Sequence, residues 1–343
     1  MRCMGIDAMN ALSVVTYEMD QALGTDHYQR FKKYLKYFQD NDICSNCAQT
    51  DCKGDRLKRP HEQADPDLYL RIVESKEDGI VVRGAKLHNT TAPVSDEVIV
   101  LPTRFMTDKD SDYAVSFAVP ADHEGVLLVT RPATQHKREH LKAPITSFGD
   151  AESFTIFDDV FVPRERVFMD GKSDPRQTPF AGFLALLFAH YHRHSYTGCK
   201  PAISEILASA CALVAEYNGI EGEKHVREKL SHIIGTAELV FAAGQASAHR
   251  AERSPSGTCI PDEVLTNAGR RLAGEEIYNE FKVLADLSGG LSATLPLEGD
   301  FYADQTKKLL NKYMKRNPKV SAENQHRCFR LIENILVSEL AGV

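Results

Sequence analysis

The densest gathering of side chains able to do chemistry lies in FAHYHRHSYTGCK, which holds His190, His192, His194, Tyr196, Cys199 and Lys200. The flanking residues are apolar and helix-forming, so this segment is expected to be helical. At about 100° per residue, His192, Tyr196 and Cys199 then fall on one face. An imidazole, a phenol and a thiol on one stripe offer proton transfer and metal ligation; the plainer alternative is a core helix whose histidines bond only to their neighbours. Seven helical residues rise about 10.5 Å, too far for one zinc ion with ligand bonds of about 2.0–2.3 Å unless the helix opens at Gly198. A polynuclear iron–sulfur cluster, whose irons can each take one ligand, fits that spacing better.

Cys44, Cys47 and Cys52 follow a C-x2-C-x4-C spacing in CSNCAQTDCKGDR, without the second pair that usually completes a metal site. The turn that ends this loop, at Gly54, Asp55 and Arg56, can offer amides and polar groups to a flavin edge or a pyrophosphate, or it is a solvated turn. In GAKLHNTTAP a β run ends on His88, Asn89 and Thr90, small polar groups suited to a planar cofactor. Glu152 opens ESFTIFDDVFVP as the acid placed to face inward, with Asp158 and Asp159 in a turn. Buried, it would have a raised pKa and could act as a base; exposed at a strand end, it would not.

These residues need elements to hold them. The chain has 343 residues, 41 Lys plus Arg against 48 Asp plus Glu, and 43% hydrophobic residues, a composition that supports a sizeable core. A net charge of −7 with only short basic runs excludes a nucleic-acid binder, and no apolar stretch exceeds about fourteen residues where a spanning helix needs about twenty. Asp7 interrupts what would be the apolar part of a signal peptide, so the expectation is a cytoplasmic protein without a membrane segment. Eight sparse cysteines then read as thiols or metal ligands. Apolar spacing predicts two helices between Ala8 and about Asp40, joined at LGTDH, and a polar loop over 41–66. Six short β runs follow to about residue 165, and then helices over 179–218, 222–252, 261–287, 304–314 and 321–342. The expected class is α+β, divided as residues 1–41 (the end of a helical domain), 42–165 (a flavin loop and an antiparallel β domain) and 166–343 (a helical bundle).

The strings CMGIDAMNALSVVTYEMDQALGT, QTDCKGDR, DPDLYLRIVE, DGIVVRGAKLHNT, TIFDDVFVPRERVF and YHRHSYTGCK run in order through most of the chain. Together they resemble the 4-hydroxyphenylacetate 3-monooxygenase and 4-hydroxybutyryl-CoA dehydratase family, flavoproteins with the acyl-CoA dehydrogenase fold. The resemblance is stronger to the dehydratase branch, which is marked by a His and a Cys seven apart and by an N-terminal cysteine pair that together ligate a 4Fe-4S cluster. It implies Cys3, His192 and Cys199 as cluster ligands. By the same resemblance Gln49, Thr50, Asp51, Cys52, Lys53, Gly54, Asp55 and Arg56, with His88, Asn89 and Thr90, hold FAD, and Gly289 and Gly290 contact cofactor across a subunit interface. His192, Tyr196, Glu152 and Lys200 are implied as catalytic, and Cys44 and Cys47 receive no role. The implied activity is radical dehydration of 4-hydroxybutyryl-CoA or a close acyl-CoA to crotonyl-CoA, with FAD as one-electron acceptor and the cluster as Lewis acid, in a homo-oligomer, dimer or tetramer. A reduced-flavin aromatic hydroxylase and an inactive scaffold are the alternatives. The first cysteine of the family pair would precede Met1, and family members continue past ENILVSELAGV with a further glutamate. The expectation is a fragment clipped at both ends or a homologue without the cluster.

Overall fold

The computed structural model describes residues 3–131, 139–141 and 151–336, apart from the side chains of Cys3 and Ser292. Contacts group the chain into two units. The first comprises Met1–Pro132, Asp150–Ser195 and Ala248–Asp262, and the second Ala133–Gly149, Tyr196–Ser247 and Glu263–Val343. This grouping follows contacts, whereas the division at 41/42 and 165/166 expected from the sequence follows changes of secondary structure.

The first unit opens with α1 (Cys3–Leu23) and α2 (His27–Asp40). The break at LGTDH is fixed by Asp20. Its carboxylate accepts from the backbone N–H groups of His27 and Tyr28 at 2.9 and 2.8 Å and from the Thr25 hydroxyl at 2.6 Å, so α1 caps the start of α2. Among the described residues eight strands follow: β1 (Ser45–Ala48), β2 (Arg71–Ser75), β3 (Gly79–Lys86), β4 (Glu97–Val100), β5 (Val115–Pro120), β6 (Val126–Arg131), β7 (Glu152–Pro163) and β8 (Val167–Asp170). They form two four-stranded sheets, ordered β1-β4-β5-β8 and β2-β3-β7-β6.

Val98, Val100, Val115, Phe117 and Val119 of the first sheet meet Ile80, Val82, Phe157, Val160 and Val162 of the second in one core. The alternate residues Ile99, Ala118 and Phe168 pack with α1, α2 and the start of α3 in another. The first sheet is thus apolar on both faces, whereas β6 leaves Leu127 and Val129 exposed.

Two departures from the expected pattern stand out. SNCA, within the polar segment read as loop, is the buried strand β1, paired parallel to β4 with Ser45 opposite Glu97. It has no apolar alternation to reveal it. Asp158 and Asp159 lie inside β7 and not in a turn: the β3–β7 register slips between Val82 and Gly84, and Asp159 takes the left-handed conformation at φ 52°.

Helix α3 (Thr178–Asn218) runs unbroken through Gly198 and Pro201, so the opening at Gly198 that a single zinc ion would require is absent. Its residues as far as Ser195 group with the first unit, and those from Tyr196 with the second. It is longer and more continuously apolar than the fourteen-residue stretch suggested: the span Pro175–Asn218 is apolar enough to cross a membrane by length and composition. Half of its most apolar window is buried, as in a core helix.

A small hairpin, β9 (Glu252–Arg253) with β10 (Cys259–Ile260), completes the first unit. In the second, α4 (Lys224–His249), α5 (Glu263–Ser288), α6 (Lys307–Tyr313) and α7 (Ala322–Leu336) match the expected helical runs as far as Leu336, and residues 337–342 of the last run lie outside the described residues. The core of this unit joins Leu207, Cys211, Val214, Ile277, Leu284, Phe329 and Ile332. Close helix approach depends on Gly244, where a Cβ would lie 2.1 Å from Thr197 Oγ1.

Candidate active site

The segment Gln49–Arg56 divides into two halves. From Gln49 to Cys52 the chain is pinned down. Gln49 Nε2 donates to the Ala185 carbonyl at 3.2 Å, Thr50 O accepts from Leu87 N–H at 2.7 Å, and Asp51 forms an antiparallel bridge with Lys86. The Asp51 carboxylate is buried and occupied: Lys86 Nζ lies 2.8 Å away and Leu70 N–H donates at 3.0 Å. Burial pushes its pKa up while Lys86 pulls it down, and burial likewise raises the Cys52 thiol.

From Lys53 onward the chain is a more open turn. Lys53 and Gly54 are both left-handed, at φ 69° and 51°, and a Cβ on Gly54 would lie 2.5 Å from Gln63 Oε1. Gln63 stitches this turn by accepting from Asp55 N–H and donating to the Asp55 carbonyl, at 3.0 and 2.9 Å. Gly54, Asp55 and Arg56 are exposed.

His88, Asn89 and Thr90 follow β3 after one residue, Leu87. His88 is exposed at φ 56°, and Thr91, a β-branched residue, sits at φ 64°, a costly conformation that surrounding bonds must hold. They do so. Asn89 and Ser153 exchange backbone bonds at 3.0 and 3.2 Å, Thr91 N–H donates to Ala151 O at 2.8 Å, and Asn89 Nδ2 donates to Thr155 Oγ1 at 2.7 Å. Within this frame the Thr90 hydroxyl donates to Glu152 Oε1 at 2.7 Å. Two buried acceptors here, Asn89 Oδ1 and Glu152 Oε2, have no hydrogen-bond partner among the described residues. Such atoms call for a donor from outside the chain, and the imide N–H and ribityl hydroxyls of a flavin are donors of that kind.

On α3, His192 Nδ1 lies 3.2 Å from Asp7 Oδ2, and the Ser195 hydroxyl donates to Asp7 Oδ1 at 2.7 Å. Asp7 is buried, and the imidazole stacks on Phe188 with ring centres 5.7 Å apart. With Nδ1 on a carboxylate, Nε2 is the nitrogen left to face a metal or a proton partner, the arrangement common around metal-bound histidines. His190 is instead a core histidine, its Nε2 on the Pro261 carbonyl at 2.9 Å, and burial lowers the pKa of His194.

In the second unit the Tyr196 ring lies under Arg270, 4.2 Å from its guanidinium carbon, while burial raises the phenol pKa. Lys200 is fully buried. It donates to Glu280 Oε2 at 2.6 Å and to Ser204 Oγ at 2.7 Å, and burial lowers its pKa against the pull of Glu280. Cys199 is exposed, as are Gly289 and Gly290, which form consecutive left-handed turns at φ 70° and 72°. Among the described residues no three His, Cys, Asp or Glu side chains converge as a metal site. The Cys3 side chain lies outside them.

Four partners escaped the reading of the sequence: Lys86, Asp7, Glu280 and Arg270. Three carried a usable signal. Lys86 shares strand parity with the buried Ile80 and Val82, Asp7 lies one helical turn from the buried Ala11, and Glu280 lies between the buried Ile277 and Leu284. A charge at an apolar position of the period requires a partner.

The fold resembles that of butyryl-CoA dehydrogenase from Megasphaera elsdenii, which superposes with a TM-score of 0.52 at 15% identity, over 94% of this chain and 70% of that one. Residues 1–169 and 181–343 match the N-terminal and C-terminal models of 4-hydroxyphenylacetate 3-hydroxylase, and the chain belongs to that family. Within it, 4-hydroxybutyryl-CoA dehydratase/vinylacetyl-CoA-Δ-isomerase from Clostridium aminobutyricum is 38% identical over 99% of this chain and 71% of the relative. An oxygen-tolerant archaeal 4-hydroxybutyryl-CoA dehydratase from N. maritimus superposes with a TM-score of 0.92 at 38% identity, over 98% and 67% of the two chains. The oxygenase component of 4-hydroxyphenylacetate 3-monooxygenase, solved with FAD, gives 0.84 at 26% identity, over 98% and 69%.

Proposed function

We propose that the chain is a 4-hydroxybutyryl-CoA dehydratase, a lyase with an associated vinylacetyl-CoA isomerase activity, acting as a homo-oligomer on an acyl-CoA. The observation that carries this reading is the 38% identity to the dehydratase over 99% of the chain, against 26% to the FAD-bound oxygenase.

FAD fits the first unit. The strained His88–Thr91 frame, the two orphaned acceptors and the turn at Lys53–Arg56 are the residues that would hold it. For a 4Fe-4S cluster the proposed ligands are Cys3, His192 and Cys199. The Asp7 carboxylate on His192 Nδ1 supports that donor set, since it leaves Nε2 to the metal. When bound, the flavin supplies one-electron chemistry and the cluster Lewis acidity toward the departing hydroxyl.

The chain's own residues handle protons and position. Glu152, with one oxygen on Thr90 and the other without a partner among the described residues, is the proposed proton acceptor or substrate holder. His192 is ligand and proton carrier in the proposal. Tyr196, braced by Arg270, and Lys200, braced by Glu280 and Ser204, orient oxygen groups.

Anaerobic incubation of the FAD- and iron-reconstituted protein with 4-hydroxybutyryl-CoA should yield crotonyl-CoA. Hydroxylation of 4-hydroxyphenylacetate with reduced FAD and oxygen, and no crotonyl-CoA, would assign the oxygenase activity instead. A folded protein that binds neither cofactor would support the scaffold.

A further inference from the structure

We infer that Lys86 is a positioning residue for the flavin site, a buried cation that fixes the two flavin-binding segments against each other. The inference rests on the flavin reading above and adds to it a residue that touches no cofactor.

Lys86 is the last residue of β3, and His88 follows two positions on, so its backbone leads directly into the His88–Thr90 segment. Its side chain turns to the other segment. Nζ donates to the Gln49 carbonyl at 2.9 Å and the Leu101 carbonyl at 2.9 Å, and lies 2.8 Å from Asp51 Oδ1. An ammonium has three N–H donors, and three acceptors surround this one. Backbone bonds run the same way: Leu87 N–H donates to Thr50 O at 2.7 Å, and Asp51 bridges Lys86. One side chain therefore spans both segments and ties them to Leu101, just after β4.

Lys86 and Asp51 are about 1–2% exposed. A lysine this deeply buried is rare unless paired, and an ion pair buried this way contributes little net stability compared with an apolar pair of similar shape. Apolar residues would fill the space at less desolvation cost. What they would not do is fix the direction of two carbonyls and a carboxylate, so geometry is the property the pair supplies.

The test uses the full chain. Lys86→Met alone would strand the Asp51 carboxylate, so Lys86→Met/Asp51→Asn removes both charges while keeping an acceptor for Leu70 N–H. The double variant is expected to melt cooperatively, bind FAD at least tenfold more weakly than wild type, and lose the fine structure of the bound-flavin absorption band. Without FAD, amide exchange at residues 49–52 and 87–90 should quicken about tenfold. Arg166→Met/Glu97→Gln, which likewise removes an ion pair, partly buried and outside both segments, and keeps an acceptor for the Tyr34 hydroxyl, should leave flavin affinity within about threefold.

Unchanged FAD affinity, band shape and exchange in the Lys86→Met/Asp51→Asn variant would overturn the inference, as would an equal loss of FAD in Arg166→Met/Glu97→Gln. If the Lys86→Met/Asp51→Asn variant does not fold, Asp51→Asn decides: weaker FAD binding with faster exchange at 49–52 supports the inference, and no change in either overturns it. A folded wild-type chain that binds no FAD would overturn the flavin reading itself, and this inference with it.

Discussion

Thr90 places its hydroxyl between a strained backbone and a carboxylate, and that position makes it a sensitive probe of the proposed flavin site. Thr90→Val keeps the shape and removes the hydrogen bond, worth about 1 kcal/mol, so FAD should dissociate roughly five- to tenfold more readily while iron content is unchanged. Equilibrium titration with FAD, alongside iron and sulfide analysis, checks both halves. Cys199→Ala should have the opposite profile, losing iron–sulfur absorbance near roughly 400 nm while flavin binding and the melting temperature hold, because this thiol is exposed and no core depends on it. At this scale the sequence was legible in local structure: His192 and Cys199 lie on one continuous helix, Glu152 opens a strand, and Lys53 and Gly54 turn the chain in the left-handed region. It was silent on what those residues lean on. Spacing along one helix cannot reveal that Tyr196 lies under Arg270 or that Lys200 is held by Glu280, because the partners arrive from α5, some seventy to eighty positions later.

Elements are held in place by a second kind of residue, of which Asp110 is the clearest. It lies buried in the 3-10 turn Asp108–Tyr113 and accepts from Arg59 Nε at 2.9 Å, from Thr107 N–H and its hydroxyl at 2.9 and 2.8 Å, and contacts His61 Nδ1 at 2.6 Å. Burial alone would raise its pKa, but the bonds from His61, Thr107 and Arg59 overcome it and hold the carboxyl well below the usual range. A group with a depressed folded pKa stabilises fully above its unfolded value, about 3.9, and loses that contribution as pH falls below it. Asp110→Ala should therefore cost about 2–3 kcal/mol at pH 7, and the gap in melting temperature to wild type should close progressively below about pH 4. A gap independent of pH would show that the carboxylate charge is not what matters. The sequence revealed the helices and six strands because their periods are strong. It hid β1, since Ser45, Asn46 and Cys47 carry no apolar alternation and are buried only because β4 lies beside them.

Across the whole molecule, apolar burial is divided among a helix-and-sheet core, a core between the two sheets and a helical core in the second unit. Apolar side chains also remain outside: Ile234, Leu239 and Phe241 of α4 are all substantially exposed. A homo-oligomer is the proposed reason, and Leu239→Glu with Phe241→Glu should shift the mass seen by light scattering toward one chain while leaving each chain folded. The parallel pairing of β1 with β4 has a consequence in time. Antiparallel neighbours joined by a short turn can zip as soon as they are made, but β1 has no partner until Glu97–Val100 exists. That long closure must precede any gain from pairing. Gln49 follows β1 directly, and the Lys86 ammonium also needs the Leu101 carbonyl. A ribosome adding about 5–20 residues per second would thus expose the QTDCKGDR stretch, unformed, for several seconds before its anchor is synthesised, and the nascent chain would acquire its proposed grip on a flavin only after that delay.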